Sequence, residues 1–287
     1  MGWPRTAVAS GAASAVSDAS NSRHRGLRAG LAALALILMA PAGAIAADMP
    51  DFLRGSYSPS YTRWDGLYFG AQLGVANADT DFSKATSDFV SYSLRETTLE
   101  KEVRPSDWSV LPSQIAHGRS YGAFLGYNFQ WDQLVVGAEV AYNRASGLDS
   151  SVLDGMTRVV APSNGTDTVS VGGQASMKLQ DYATFRARAG YAVGQFLPYA
   201  FIGGAVGQFD YKRDLILIVT GVDNGSFTLS DGKNNAIVAG FTTGLGMDVA
   251  LTPNVFLRGE WEFVGFVPVH GIRANINTAR AGLGMKF

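Results

Sequence analysis

From Trp64 to the C-terminus, apolar side chains return at every second position, and the pattern restarts again and again. Side chains alternate across a β-strand, so this period gives each element one apolar face and one small or polar face. In 66–76, Leu67, Phe69, Ala71, Leu73 and Val75 share one face, opposite Tyr68, Gly70, Gln72 and Gly74. Similar segments lie at 121–130, 134–143, 182–191, 197–210, 235–250, 255–263 and 279–287, which predicts eight strands. In 197–210 both parities are apolar; Tyr199 and Phe201 are assigned outward there. Short connections near 131–133, 192–196 and 251–254 alternate with long ones at about 78–119, 145–176 and 211–234. The last long-side connection, about 265–272, is short. Asp154-Gly155, Asn164-Gly165, Asn224-Gly225 and Asp231-Gly232 are turn formers inside the long connections. Part of this sequence, such as 168–178, is expected to extend the strands into the long connections.

The face opposite the apolar one decides which kind of β protein this is. It carries Glu139, Arg186, Arg188, Asp248, Arg258, Glu260, Glu262, Arg280 and Lys286. A water-soluble barrel would bury those charges in its core. A membrane barrel turns its apolar face to lipid and its polar face to the lumen. The expected fold is therefore all-β: an eight-stranded antiparallel up-and-down transmembrane barrel with long outer loops, closed so that no strand edge meets lipid. Eight strands leave an interior that side chains fill. The nine inward charges are five basic and four acidic, and are expected to form a structural ionic plug. Trp64, Tyr68, Trp131, Phe196, Tyr199, Trp261, Phe263 and Phe266 lie near strand ends and are assigned to interfacial girdles.

Composition and the N-terminal segment fit export. Arg23, Arg25 and Arg28 precede the apolar run 31–39, Pro41 and the small residues Ala44-Ile45-Ala46-Ala47. This is the layout of a cleaved signal peptide, 1–47, with cleavage after Ala46 or Ala47. A short periplasmic segment, 48–63, then precedes the barrel, 64–287. The stretch before Arg23 is longer than such a peptide needs, which points to a start downstream of Met1. The chain has no Cys, so no disulfide supports the exported fold. Charged residues are 16%, below the ordinary share, and Gly, at 34 residues, is above it. Residues 1–47 hold four of the 23 basic and one of the 24 acidic residues, leaving a remainder of 19 against 23 and a net charge of −4. That balance gives no reason to expect a nucleic-acid partner.

The segments Arg63-Trp64-Asp65-Gly66-Leu67-Tyr68-Phe69-Gly70, Thr184-Phe185-Arg186-Ala187-Arg188-Ala189-Gly190-Tyr191, Leu197-Pro198-Tyr199, Leu251-Thr252-Pro253-Asn254 and Gly284-Met285-Lys286-Phe287 are similar, in order and spacing, to a known group. They resemble the small outer-membrane β-barrel proteins of α-proteobacteria, often called outer-membrane immunogenic or porin-family proteins. The resemblance covers about 64–287. It implies an eight-stranded barrel, localisation in the cell outer membrane, and periplasmic chaperones and the barrel-assembly machinery as partners during biogenesis. Outer-membrane lipid and lipopolysaccharide would surround a monomer. The terminal Phe287, with Met285, Leu283 and Ala281 at alternate positions before it, is similar to the signal that this machinery reads. The group brings no defined substrate and no catalytic site. The long first and second outer loops depart from a minimal barrel.

Candidate chemistry is sparse. After residue 47 the only histidines are His117 and His270, and neither has metal-ligand spacing. Ser230-x-x-Lys233, Gly244-x-Gly246 and Asp79-x-Asp81 match fragments of catalytic, dinucleotide-binding and calcium-binding motifs without the companions those motifs need. No cofactor is expected. The favoured function is a structural, surface-exposed barrel that contributes to envelope integrity. The alternatives are a narrow porin-like channel and a barrel enzyme acting on outer-membrane lipid, with His117 or His270 as base.

Overall fold

The computed structural model describes residues 62–287. The expected signal peptide, the Ala46 and Ala47 cleavage positions and most of 48–63 lie outside them. The described chain forms one antiparallel sheet of nine strands: β1 (Gly66–Asp81), β2 (Ser113–Trp131), β3 (Leu134–Ser146), β4 (Asp149–Val160), β5 (Asp167–Tyr191), β6 (Phe196–Gly221), β7 (Gly225–Ala250), β8 (Val255–Phe266) and β9 (Arg273–Lys286). Eight of them close a ring. β1 pairs with β2 and β9, β3 pairs with both β2 and β5, and β5 to β9 pair in sequence order. β4 is the ninth strand. It stands outside the ring and pairs with Asp167–Lys178, the part of β5 beyond its contact with β3.

Alternation fixes which face meets lipid. Leu73 is 69% exposed, Phe185 57% and Leu245 48%, whereas Tyr68, Arg186 and Asp248 on the other parity are buried. On β6 the outward apolar residues run from Phe196 to Val206, about the length that a tilted strand needs to cross a bilayer. Phe69 stacks on Phe287 at 5.7 Å and Phe129 on Trp131 at 6.2 Å, forming part of a girdle near the short-turn rim. Tyr121 and Tyr142 face outward nearer the other rim.

Three expectations need correction. The 211–234 connection is not a loop. β6 and β7 continue through it to a three-residue tip, so Asp231-Gly232 lies within β7, as Asp154-Gly155 lies within β4. The tertiary reason is the inner face of the extension. Leu215, Leu217 and Val219 alternate inward with Val169 and Val171 of β5, and burial outweighs local turn preference. Second, Tyr199 and Phe201 point inward and are buried. Third, Trp64, Tyr68 and Phe266 are also inside and take no part in a girdle. The barrel itself has the eight strands expected; β4 is an additional strand outside the ring.

The first long connection builds a lid over the extended strands. It folds into α1 (Ser87–Leu94), α2 (Thr98–Glu102) and a short turn of 3₁₀ helix. Val90 and Leu94 lie four residues apart on one helix face and, with Leu99, pack on Val169, Val171, Leu215, Leu217 and Val219. Arg213 of β6 fastens the lid. Its guanidinium donates to the Ala85 carbonyl at 3.0 Å, to Asp88 at 2.5 Å and to Asp231 at 2.9 Å, and lies over Phe89. The last outer turn closes at His270-Gly271, both at positive φ, and His270 Nδ1 accepts from Arg213 at 3.1 Å.

Candidate functional site

The interior of the ring is stacked in three layers. Nearest the short-turn rim lie Trp64, Tyr68, Phe124, Tyr199, Phe201 and Phe256. Each inward aromatic on a strand needs space that a neighbour must leave. Register supplies it: Tyr68 lies opposite Gly126, Phe124 opposite Gly70, Tyr199 opposite Gly246, Phe201 opposite Gly244 and Phe256 opposite Gly284. A Cβ on Gly126 would come within 2.2 Å of the Tyr68 hydroxyl, and one on Gly284 within 2.2 Å of the Phe256 ring. The high glycine content is thus partly a set of seats for rings.

The second layer is ionic. Glu139, Glu260, Glu262 and Asp248 face Arg186, Arg188, Arg258 and Arg280. These are four acids and four bases, all buried, so the layer is neutral. Arg258 donates to Asp248 at 2.8 and 3.1 Å and to Glu139 at 2.8 Å. Arg186 reaches Glu139, Glu260 at 2.7 Å and Glu262 at 3.2 Å. Arg188 donates to Asp248 at 2.7 Å, and Arg280 pairs with Glu262 and, at 3.3 Å, with Glu260. The carboxylates also accept from Tyr68 at 2.7 Å, Tyr199 at 2.9 Å and Thr242 at 2.9 Å. Arg258 sits 4.0 Å from the Phe124 ring centre and Arg188 3.7 Å from that of Tyr199, so the aromatic layer also serves the cations.

The ninth charge assigned to this cluster is elsewhere. Lys286 lies over the Trp64 ring at 4.3 Å and donates to the Arg63 carbonyl, so it caps the aromatic layer. Sequence reasoning missed Tyr199, Phe124 and Thr242 as members of the site. A usable signal existed in the glycine opposite each ring.

The third layer, toward the long-loop rim, is apolar: Ala76, Phe82, Met177, Leu179, Phe209, Val264, Phe266 and Ile276 are among its members. A polar lumen was expected along the whole barrel, and this layer departs from that. The extended strands bring the apolar alternation of the outer region down into the ring.

The residues considered for catalysis do not converge. His117 faces outward and its Nδ1 lies 2.7 Å from Asn77 Oδ1, while His270 belongs to the Arg213 fastening. Ser230 donates to Asp214 on an exposed sheet face. Among the described residues no three His, Asp or Glu side chains converge as a metal site. Met285, Leu283 and Ala281 face outward on the last strand, Phe287 is exposed one residue past its end, and the Phe287 amide donates to the Leu67 carbonyl at 2.9 Å.

Comparison with known proteins adds the family. A model described as the outer membrane protein β-barrel domain matches residues 30–287. The 25 kDa outer-membrane immunogenic protein of Brucella ovis is 26% identical over 230 residues, covering 80% of this chain and 81% of that protein. The 31 kDa outer-membrane immunogenic protein of Brucella melitensis is 27% identical over 240 residues, covering 78% and 84%. Among solved structures, Neisserial surface protein A superimposes with a TM-score of 0.33 at 16% identity over 77% of this chain and 97% of that one, too loosely to carry an argument.

Proposed function

The chain belongs to the outer-membrane β-barrel family and lies in the cell outer membrane; from that premise we propose that it is a non-conducting structural barrel that displays a folded outer lid. The observation that carries this reading is the filled interior. A solute crossing the ring would have to pass an aromatic layer, a neutral ionic layer and an apolar layer in turn. Buried ion pairs of this kind gain specificity more than stability, and removing one partner is costly. The plug therefore fixes strand register and holds the ring rigid.

The lid is the second half of the proposal. Its own apolar core lets it keep its shape above the membrane, so the surface it presents to the environment is defined. The relatives' description as immunogenic fits such a surface. His117 and His270 carry no catalytic role in this reading; one faces outward beside Asn77, and the other fastens the lid. Phe287, Met285, Leu283 and Ala281 serve the barrel-assembly machinery as its recognition strand.

The test is single-channel recording of the purified, refolded protein in planar bilayers. A closed barrel gives no steady conductance step. A large, steady conductance that persists in all preparations would refute the plug and favour a narrow channel.

A further inference from the structure

Above the ring, β4, β5, β6 and β7 continue as an open sheet whose inner face is covered by the lid. An open sheet has two edges, each a row of unpaired backbone donors and acceptors. The β7 edge is blunted. It carries Asp231, Gly232 and Lys233, and the strand kinks at Asn235, whose φ is 57°. The β4 edge has no such protection. From Val152 to Val160 it holds no proline, no lysine and no bulge, and among the described residues no second strand pairs with it. The odd-numbered residues face that edge. The Ser151 amide points away from β5 and donates to Gln114 Oε1 at 2.7 Å, and the Gly155 amide meets Asp154 Oδ1 at 2.7 Å. In an antiparallel strand the N–H and C=O of one residue point the same way, so Leu153, Gly155, Thr157 and Val159 present free backbone groups. Leu153 and Val159 are also 78% and 71% exposed on the outer face of the sheet. Lipid does not account for that exposure. Met156 pairs with Val171, while β3 leaves β5 at Asp181, which puts the middle of β4 about 30 Å further up β5 at ~3.3 Å per residue.

This edge is complementary to itself. Set antiparallel to a second β4 about Met156, Leu153 lies opposite Val159, Gly155 opposite Thr157, Val152 opposite Val160 and Asp154 opposite Arg158. Symmetry makes each of these contacts twice. The register also suits the backbone, because the odd pairs are those with free amides and carbonyls. The even pairs then fall at the closer, non-hydrogen-bonded positions. Asp154 and Arg158 are exposed, and among the described residues neither has an ion-pair partner within 4 Å; Arg158 rests on the Trp108 ring at 4.7 Å. A shift of the register by one position of the axis either way opposes Asp154 to Met156 or to Val160 and loses both ion pairs.

We infer that β4 pairs with β4 of a second copy of this chain, and that the two copies sit in facing membranes. The orientation follows from symmetry. The two-fold axis relating antiparallel edge strands is perpendicular to the sheet. This sheet continues the barrel wall through β5 and β6, so the axis lies across the barrel and inverts it. Barrels in one membrane all point the same way, with their short turns in the periplasm. Pairing through β4 therefore joins one cell surface to another. On contact, Thr157 of the second copy takes over the Gly155 amide, which frees the Asp154 carboxylate for Arg158. The paired edge, 152–160, is far smaller than a standard interface, so one pair is weak and the hold comes from many copies on apposed surfaces. The inference does not depend on the plug, since the edge lies outside the ring.

The test uses the purified, refolded protein in proteoliposomes, with clustering of two differently labelled vesicle populations read by energy transfer. Wild type should cluster them. Asp154→Arg and Arg158→Asp each oppose like charges at both ion pairs, and should raise the protein density needed for clustering by about tenfold. Mixing vesicles that carry Asp154→Arg with vesicles that carry Arg158→Asp restores opposite charges, and should restore clustering. Thr157→Pro should abolish it by removing a free-edge amide while the ladder with β5 stays intact. Met156→Cys, at the axis, should form a disulfide with itself between vesicles under oxidation. Heat-modifiable migration confirms that each variant is folded. Wild type that clusters no more than protein-free vesicles would overturn the proposal. So would a charge-swapped mixture that clusters no better than its single components, or a Met156→Cys disulfide confined to copies in one membrane.

Discussion

Replacing Arg258 by Met tests the ionic layer at its centre. The Arg258 side chain is fully buried, donates three hydrogen bonds to Asp248 and Glu139, and lies on the Phe124 ring. Without it the layer holds four acids and three bases, and among the described residues Asp248 keeps Arg188 as its only ion-pair partner. Breaking a buried pair in this way typically costs about 3–5 kcal/mol, because a charge is left uncompensated. At 1.4 kcal/mol per decade, the unfolding equilibrium shifts by roughly a hundredfold to a few thousandfold. The second variant, Arg258→Met/Asp248→Leu, restores neutrality at three and three. It is expected to lose much less than the sum of the two single changes, with a coupling of about 2–3 kcal/mol. The assay is reversible denaturant unfolding of the barrel in lipid or detergent, followed by tryptophan fluorescence and by heat-modifiable migration. The midpoint should fall while the denaturant slope stays constant. A loss below about 1 kcal/mol for Arg258→Met, or a double variant as unstable as the summed singles, would show that the charges act independently.

Gly246→Val places a side chain where the Tyr199 ring now sits, since a Cβ there comes within 2.4 Å of that ring. We expect a stability loss of about 1–3 kcal/mol in the same unfolding assay, and a smaller loss when Tyr199→Ala is added. Leu99→Asp puts a charge into the core of the lid, where Leu99 is fully buried. It should make 82–112 cleavable by added protease while the ring keeps its heat-modifiable migration. The Asp231 carboxyl is held below the usual carboxylate range by its hydrogen bond from Arg213. A depressed folded-state value means that its contribution is present at neutral pH and is lost as pH falls through that value, so lid protection should fade only below about pH 4. Arg213→Gln should already loosen the lid at pH 7, read by the same protease assay. Deleting Phe287 should lower outer-membrane yield in cells while leaving refolding of the purified chain unaffected; equal cellular yield would remove it from the assembly signal.

The ring was legible in the sequence because the bilayer enforces parity. Where lipid faces Leu125, Val140 and Phe185, charged residues are confined to the opposite parity, and the inward places of Glu139 and Arg186 follow directly. The reading failed where the environment changes along a strand. Tyr199 and Phe201 share a strand with outward Ile202 and Val206, so both parities are apolar and period alone does not choose. The choice is made across the sheet, by Gly246 and Gly244 opposite those rings. Lys286 shares the parity of the ionic residues, but it stands too near the short-turn rim to reach them and instead caps Trp64. Beyond the membrane, water no longer enforces alternation, and Asp231-Gly232 reads as a turn. Only the packing of Leu215, Leu217 and Val219 under the lid keeps β6 and β7 extended there.

Orientation of side chains about the ring is tested most directly by single-cysteine spin labels, which the absence of native Cys makes unambiguous. Labels at Leu125, Phe185 and Leu245 in a reconstituted bilayer should be relaxed by dissolved oxygen and not by a water-soluble nickel complex. Labels at the buried Thr184 and Thr242 should be shielded from both. Nickel access at Thr184 and Thr242 would reveal an open aqueous lumen, and shielding of Leu125, Phe185 and Leu245 from oxygen would contradict a wall that faces lipid.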